Sequence, residues 1–230
     1  MSPSRTSTTA TTVLLILLNF DVIQAFMASV TDFSALKIRM VRESKAFSTF
    51  ILAPDVAIPQ AEGFHSYTAV SFHDCRMTCW ASVNCKSLSV QPTGSTFLCV
   101  LSNRGPLDDN IMSSSGASYI FKVDSLNANW MIMPDGISYI VHKRIPLNFT
   151  AALSFCRRIP GHDIGVFQTT ADTVNILNLG SKTGASCAWT NNKGAVADPV
   201  QTYYNFAPPM FVSSNALTTC SPFCRAHVVE

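Results

Sequence analysis

Charged residues are scarce in this chain, and the charges that it has nearly cancel. Asp, Glu, Lys and Arg make up 13% of its 230 residues, and 16 basic residues against 14 acidic ones leave a formal net charge of +2. Proteins that bind nucleic acid or an anionic membrane surface usually carry a larger or more concentrated positive charge. The composition therefore gives no reason to expect either partner. Because 47% of the residues are hydrophobic, the chain can still bury a core.

The sequence also lacks an apolar run of about 20 residues, the length needed to cross a bilayer. A shorter run, Val13–Phe20, follows a Ser/Thr-rich opening in which Arg5 is the only charge, and Ile23-Gln24-Ala25 then offers aliphatic and small residues for cleavage after Ala25. This order is typical of a secretory signal peptide over residues 1–25. Cleavage after Ala25 predicts an extracellular, secreted protein without a membrane span. A retained signal anchor is the alternative.

Catalytic motifs are missing as well. The chain contains no Gly-x-Ser-x-Gly sequence, the turn that presents the nucleophile of many hydrolases. Each cysteine has a possible disulfide partner, so none is expected to act as a nucleophile beside a base. We expect His73 to be a solvated helix residue and His162-Asp163 to form a polar turn before a strand. These features predict that the protein is not an enzyme.

The cysteines are the most informative residues, because the eight form two groups of four with none between Cys99 and Cys156. An even number behind a secretory leader is typical of a disulfide framework. A four-cysteine zinc site is the alternative for the first group, but its spacing lacks the two-residue knuckles of zinc ribbons. We therefore predict an α+β protein of two small disulfide-stapled modules, each with helices packed on an antiparallel sheet. The two groups are Cys75, Cys79, Cys85 and Cys99, and Cys156, Cys187, Cys220 and Cys224.

We divide the mature chain into an N-terminal arm over residues 26–44 and modules over residues 45–124 and 130–230. The mixed polarity of the arm is compatible with a short helix or with another ordered segment. In the first module, Ser71 begins a capping-box sequence, so a helix should follow it and carry Cys75 and Cys79 on one face. Strand-like runs cover residues 46–52, 86–91, 96–102 and 118–123, and loops are expected at Pro54, at Pro59 and over residues 103–116.

This first segment resembles a PAN/apple domain, in which a helix with Cys-x3-Cys is pinned to a sheet by nested bridges. The resemblance implies the pairs Cys75–Cys99 and Cys79–Cys85. It also implies a role in recognition, since modules of this family bind proteins or glycans. Some apple domains have a third bridge between their ends, and no cysteines are available for it here.

The second module begins with a strand near Gly136–Val141 and a helix over Phe149–Arg157. Phe149, Ala152 and Cys156 share one face of this helix. A short segment over residues 163–168, a second helix from Thr170 and a strand at Cys187–Thr190 follow. This order resembles a C-type-lectin-like domain, with Phe149 in the place of the usual Trp. The resemblance implies the pairs Cys156–Cys224 and Cys187–Cys220, although the closeness of Cys220 and Cys224 leaves the three possible connectivities open.

Sugar-binding members of the lectin-like family hold Ca²⁺ through side-chain oxygens that flank a proline. In this chain Ala207 and Met210 flank the two prolines, and neither offers such an oxygen. No acidic residue lies between Asp198 and Glu230. Because Ca²⁺ takes six to eight oxygen ligands, we expect no calcium site of the usual kind, no other metal and no cofactor.

The remaining candidates for a binding surface are aromatic and amide side chains: Trp189, Asn191, Asn192 and Tyr203. Core packing is the alternative for Trp189. Strand alternation would turn only one of Tyr203 and Tyr204 outward.

The chain has one Asn-x-Ser/Thr sequon, at Asn148, where a glycan is predicted. Asn148 is also the expected N-cap of the first lectin-like helix, and we expect the cap and the glycan to compete for this side chain.

The predicted function is recognition of an extracellular glycan or protein ligand, in innate recognition or adhesion, without the usual calcium site. A calcium-dependent carbohydrate-binding lectin and a structural component of an extracellular matrix are the alternatives.

Overall fold

Helices packed on β-sheets make up the structure, a computed structural model that describes residues 32–42, 49–126, 128–132, 137–142, 146–166, 170–191, 202–207, 209–213 and 218–229. The predicted α+β class is confirmed. The α-helices are α1 (Phe72–Ala81), α2 (Phe149–Arg158) and α3 (Thr170–Thr183). The strands are β1 (Ile38–Arg42), β2 (Thr49–Ala57), β3 (His65–Ala69), β4 (Ser87–Thr93), β5 (Thr96–Ser102), β6 (Met112–Lys122), β7 (Ala128–Ile132), β8 (Ile137–His142), β9 (Asp163–Ile164), β10 (Cys187–Thr190), β11 (Thr202–Phe206), β12 (Pro209–Ser213) and β13 (Phe223–Val229).

Most strands join a ten-stranded sheet with the order β3-β5-β4-β6-β2-β1-β13-β8-β7, and β9 also pairs with β13. The pairs are antiparallel except that β1 and β13 run parallel, with Ile38 opposite Val228. Strands β10, β11 and β12 form a separate three-stranded sheet. Since β1 lies between β2 and β13, one sheet extends through both halves of the chain.

The arm that precedes the first module contributes β1 and contacts the second module. Phe33 is buried, its N–H donates to the carbonyl of Arg157 at 3.0 Å, and its carbonyl accepts from Gly161 N–H at 2.9 Å. One hydrophobic cluster contains Ile38 together with residues of both halves, such as Tyr119 and Ile140. Residues 32–230 accordingly form one compact unit. In residues 32–42 the arm is therefore ordered, as a turn between Phe33 and Leu36 followed by β1.

Both predicted helix starts are confirmed by their caps. Ser71 Oγ accepts from Asp74 N–H at 3.1 Å, and Asn148 Oδ1 accepts from Ala151 N–H at 2.8 Å. Each side chain satisfies a backbone donor that has no partner within the first turn of its helix. The caps fix where each helix begins and so which face carries its cysteines.

The disulfide framework is confirmed, because all eight cysteines are bonded in pairs, which also excludes the zinc alternative. Two bridges lie in the first half and join α1 to β5 and to the segment before β4. The other two join α2 to β13 and β10 to the segment before β13. The pairs are the ones that the two resemblances imply: Cys75–Cys99, Cys79–Cys85, Cys156–Cys224 and Cys187–Cys220.

Two local predictions in the first half are wrong. Pro54 lies inside β2 and not in a loop, and residues 112–116 belong to β6 and not to a polar loop. The ladder between β2 and β6 shifts register between Pro54 and Val56, and Asp55 has a φ of 58°. An irregularity of this kind removes the ladder bond that a proline cannot make. Residues 112–116, at the start of β6, are mostly exposed. This part of the strand therefore does not show the alternation of apolar and polar residues by which a strand is recognised in a sequence.

Candidate functional site

A cavity of about 290 Å³ lies on the face of the sheet opposite α1. Alternation along β4 defines this face: Leu88 and Val90 pack with the cysteines of α1, whereas Ser89 and Gln91 line the cavity. Along β5, Cys99 faces α1 and its neighbours line the cavity. The lining residues come from four segments: Ala57, Ile58, Pro59 and Gln60; Ser89 and Gln91; Leu98 and Val100; and Met112, Ser113 and Ser114.

The floor of the cavity is apolar and firmly held. Ile58 and Val100 are only 2% and 3% exposed, and Leu98 is half-buried beside them. The buried Ser89 Oγ donates to the Ile58 carbonyl at 3.4 Å, which holds the segment after β2 against β4. The Cys75–Cys99 disulfide anchors β5 to α1 from the other face. The floor is therefore formed before any ligand arrives.

The rim of the cavity is polar and exposed. Gln60, Gln91 and Ser113 offer amide and hydroxyl groups, and Met112 is 51% exposed. Gln60 is oriented by a hydrogen bond in which its Nε2 donates to Ser66 Oγ at 3.3 Å. Gln91 and Ser113 stand on separate strands, so they approach the cavity from two sides.

None of the eleven lining residues carries a formal charge, and none is aromatic. The nearby Glu62 is engaged with other groups: Arg104 Nη2 lies 3.2 Å from Glu62 Oε2, and Asn110 Nδ2 donates to Glu62 Oε1 at 2.7 Å. The lining contains serine hydroxyls but no acidic or basic side chain that could act as a general acid or activate a hydroxyl as a nucleophile. Chemically, the cavity can bind a neutral group through apolar contact and hydrogen bonds.

A buried polar cluster around Asp109 holds the segment between β5 and β6 to the sheet. Asp109 accepts hydrogen bonds from Ser102 Oγ at 2.6 Å, from Tyr119 Oη at 2.7 Å and from Ser87 Oγ, and Arg104 Nε lies 3.5 Å from it. Burial, and secondly the nearby Asp109 charge, raise the pKa of Tyr119 well above its ordinary value. Because the Asp109 carboxylate is satisfied by groups of the protein itself, this cluster stabilises the fold.

The aromatic residues suggested as a binding surface lie mainly in the core of the second half. Trp189 is 1% exposed, and its Nε1–H donates to the Leu147 carbonyl at 2.6 Å. The rings of Phe149 and Tyr203 pack edge-on against it at 5.5 and 5.9 Å. Tyr204 is buried and Tyr203 half-buried, as strand alternation predicts. The Trp189 ring is therefore covered by protein and is not placed to stack on a sugar.

The two asparagines proposed beside Trp189 differ in what the structure shows. Asn191 is exposed, and its backbone N–H donates to the Gly165 carbonyl at 2.8 Å. Asn192 lies outside the described residues. Because Trp189 is buried, its ring does not form a binding surface together with the exposed Asn191 and the half-buried Tyr203.

The exposed side chain of Asn148 caps α2 through its oxygen alone. An N-linked glycan is attached through Nδ2, the other atom of the same amide. The cap and a glycan would engage different atoms of this amide, so the cap leaves Nδ2 available.

Histidines divide between the surface and the core. His73 is exposed on α1, as expected. His162 ends a turn directly before β9, its N–H donating to the Ile159 carbonyl at 3.0 Å, but its side chain is fully buried. His162 Nδ1 lies 2.9 Å from the Pro160 carbonyl, which only accepts, so Nδ1 carries the proton and Nε2 accepts from Ser138 Oγ at 3.1 Å. Burial lowers the pKa of His162 to about 4. The imidazole is therefore neutral at pH 7.

Within the described part of the chain, no group of three or more His, Cys, Asp or Glu residues is placed to hold a metal ion. Ala207, which flanks the two prolines, stands exposed in a turn after β11. The same ranges contain no helix long and apolar enough to cross a membrane.

No protein-family model matches the chain, and no curated protein matches it significantly.

Proposed function

We propose that this protein is a secreted recognition protein that binds a neutral extracellular ligand, a glycan or a protein, without a calcium site of the usual kind. Its two halves resemble a PAN/apple module and a C-type-lectin-like module, and both families serve in recognition. The observation that carries the proposal is the uncharged cavity beside β4 and β5, with its apolar floor and amide-bearing rim. Six of the eleven lining residues are apolar and five are polar, so the cavity combines apolar contact with hydrogen bonding. Binding sites use both kinds of contact.

The scaffold around the cavity suits recognition because it is ordered in advance. Val100 and Leu98 flank Cys99, whose disulfide fixes β5 against α1. Binding to such a floor requires little ordering of the protein, and the free energy of contact is not spent on immobilising a loop. A catalytic role has no comparable support, because the lining offers only amides, hydroxyls and apolar groups.

Binding of the oxidatively folded chain to an array of glycans and extracellular proteins tests this proposal. We expect at least one ligand to bind equally in Ca²⁺ and in EDTA, because uncharged groups supply the contacts. Loss of all binding in EDTA would support a calcium-dependent lectin instead. Absence of any ligand together with self-association of the chain would favour a structural matrix component.

A further inference from the structure

We infer that the cavity beside β4 and β5 accepts an uncharged peptide segment that inserts one aliphatic side chain. This inference rests on the proposed recognition function and specifies the ligand for its site. A protein ligand, and not a sugar, is the occupant that the lining favours.

Charge is the first reason. The lining has no cation to pair with a phosphate, sulfate or carboxylate, and no anion to pair with an amine. A buried charge without a partner costs several kcal/mol, on the order of the whole binding free energy of a short segment. The neutral lining therefore matches a segment without charge at the contacting positions.

The shape and chemistry of the floor are the second reason. Ile58 and Val100 close the bottom of the cavity, and the half-buried Pro59 and Leu98 and the exposed Met112 offer aliphatic surface above them, which excludes water best when an apolar side chain covers it. Sugars commonly bind by stacking a pyranose face on an aromatic ring, and no ring lines this cavity. The floor thus favours an aliphatic side chain over a sugar ring.

The rim supplies the third reason. Gln60 and Gln91 are exposed primary amides, and each can donate to a peptide carbonyl and accept from a peptide N–H. Met112 is unbranched and half-exposed, and such a side chain adapts its conformation to cover what enters. A peptide backbone offers donors and acceptors on both sides of an inserted side chain, as these rim groups require.

The experiment selects peptides from a random display library against the folded full-length chain. It then compares the wild type with two single variants. Ser113→Trp places a large ring in the cavity wall, whereas Ser115→Trp makes the same change at an exposed residue that does not line the cavity. Both variants are first checked for four disulfides and for unchanged unfolding by urea. Enriched peptides are then synthesised, and their dissociation constants are measured for all three proteins.

We expect enriched peptides to share an uncharged core with one Leu, Ile, Val or Met. Ser113→Trp should weaken their binding at least about tenfold, a loss of about 1.4 kcal/mol, and Ser115→Trp should leave it unchanged. Equal binding to both variants would overturn the cavity assignment but leave recognition standing. If no peptide is enriched while a glycan on the array binds, the peptide inference falls and the proposed function survives. If neither library yields a ligand, both are overturned.

Discussion

Ile38 lies opposite Val228 in the parallel pair of β1 and β13, and the same strand β1 pairs with β2 on its other side. The Ile38 side chain is fully buried, in a cluster that also contains residues of the first and second halves. One short strand from the N-terminal arm therefore closes a sheet between two segments that carry separate disulfides. The halves are expected to unfold together.

Ile38→Ala tests this coupling. Truncating a fully buried Ile leaves a cavity and should lower the free energy of unfolding by about 2–5 kcal/mol. Because both halves pack on Ile38, amide hydrogen exchange should accelerate in β2 and in β13 alike. Val83→Ala, at a residue that is 95% exposed, is the matched control and should change neither. Faster exchange confined to one half would show that the two halves are energetically independent.

His162 should make the fold sensitive to acid. Burial lowers its pKa from 6.5 to about 4, so between these pH values the unfolded chain binds a proton that the folded chain does not. The stabilisation is complete above pH 6.5 and is lost as the pH falls toward 4, by about 3 kcal/mol in total. Urea unfolding of the wild type and of His162→Gln at pH 7 and pH 4 measures the difference.

We expect the wild type to lose more stability than His162→Gln over this pH interval. His73→Gln, at an exposed position, should follow the wild-type pH dependence. Parallel pH curves for the wild type and His162→Gln would mean that the buried imidazole does not govern the acid response.

Gly165 occupies a position where any side chain would meet a buried ring. A Cβ at Gly165 would overlap the ring of Phe223, which is fully buried and has no room to move. Gly165→Ala should therefore destabilise the protein by about 1–3 kcal/mol, the usual cost of overpacking a core. Gly180→Ala is the comparison, since the ring that it approaches, Phe206, is only half-buried. Thermal unfolding that ranks Gly180→Ala as the more harmful change would contradict this packing argument.

Asn148 is expected to carry a glycan and to cap α2 at the same time. Expression in a secretory host with N-glycosylation should add glycan mass to this site, and Thr150→Ala should remove it without changing the cap. Asn148→Ala should remove both, and it should cost about 1 kcal/mol more stability than Thr150→Ala. Intact mass and urea unfolding check the two effects. An unmodified wild type would refute the predicted glycan. Equal stability of the two variants would refute the predicted contribution of the cap.

Local signals allowed the sequence to predict the helices. Ser71 and Asn148 cap their helices through contacts three residues away, so the evidence for them is contained in a few neighbouring positions. Cys75 and Cys79 could likewise be placed on one helical face from their spacing. In contrast, β1 owes its conformation to partners such as Val228, which is 190 residues from Ile38 in the chain. No local pattern in the arm specifies that pairing.

The candidate site escaped sequence reasoning for a related reason. Its residues come from four separated segments, and glutamines, serines and aliphatic residues have no spacing that marks a site. Trp189 drew attention because aromatic residues often contact ligands, yet its indole N–H bonds to Leu147 inside the core. The register shift after Pro54 sets the pairing of the end of β2 with Met112 and Ser113, which line the cavity. This shift depends on how β2 and β6 pair and cannot be read from either strand alone.

The most direct test of the account is the affinity of one ligand from the array or the peptide library, measured with the wild type in Ca²⁺, with the wild type in EDTA, and with Ser113→Trp. We expect the same dissociation constant in Ca²⁺ and EDTA and an affinity at least about tenfold lower in Ser113→Trp. Binding that disappears in EDTA and is untouched by Ser113→Trp would contradict it.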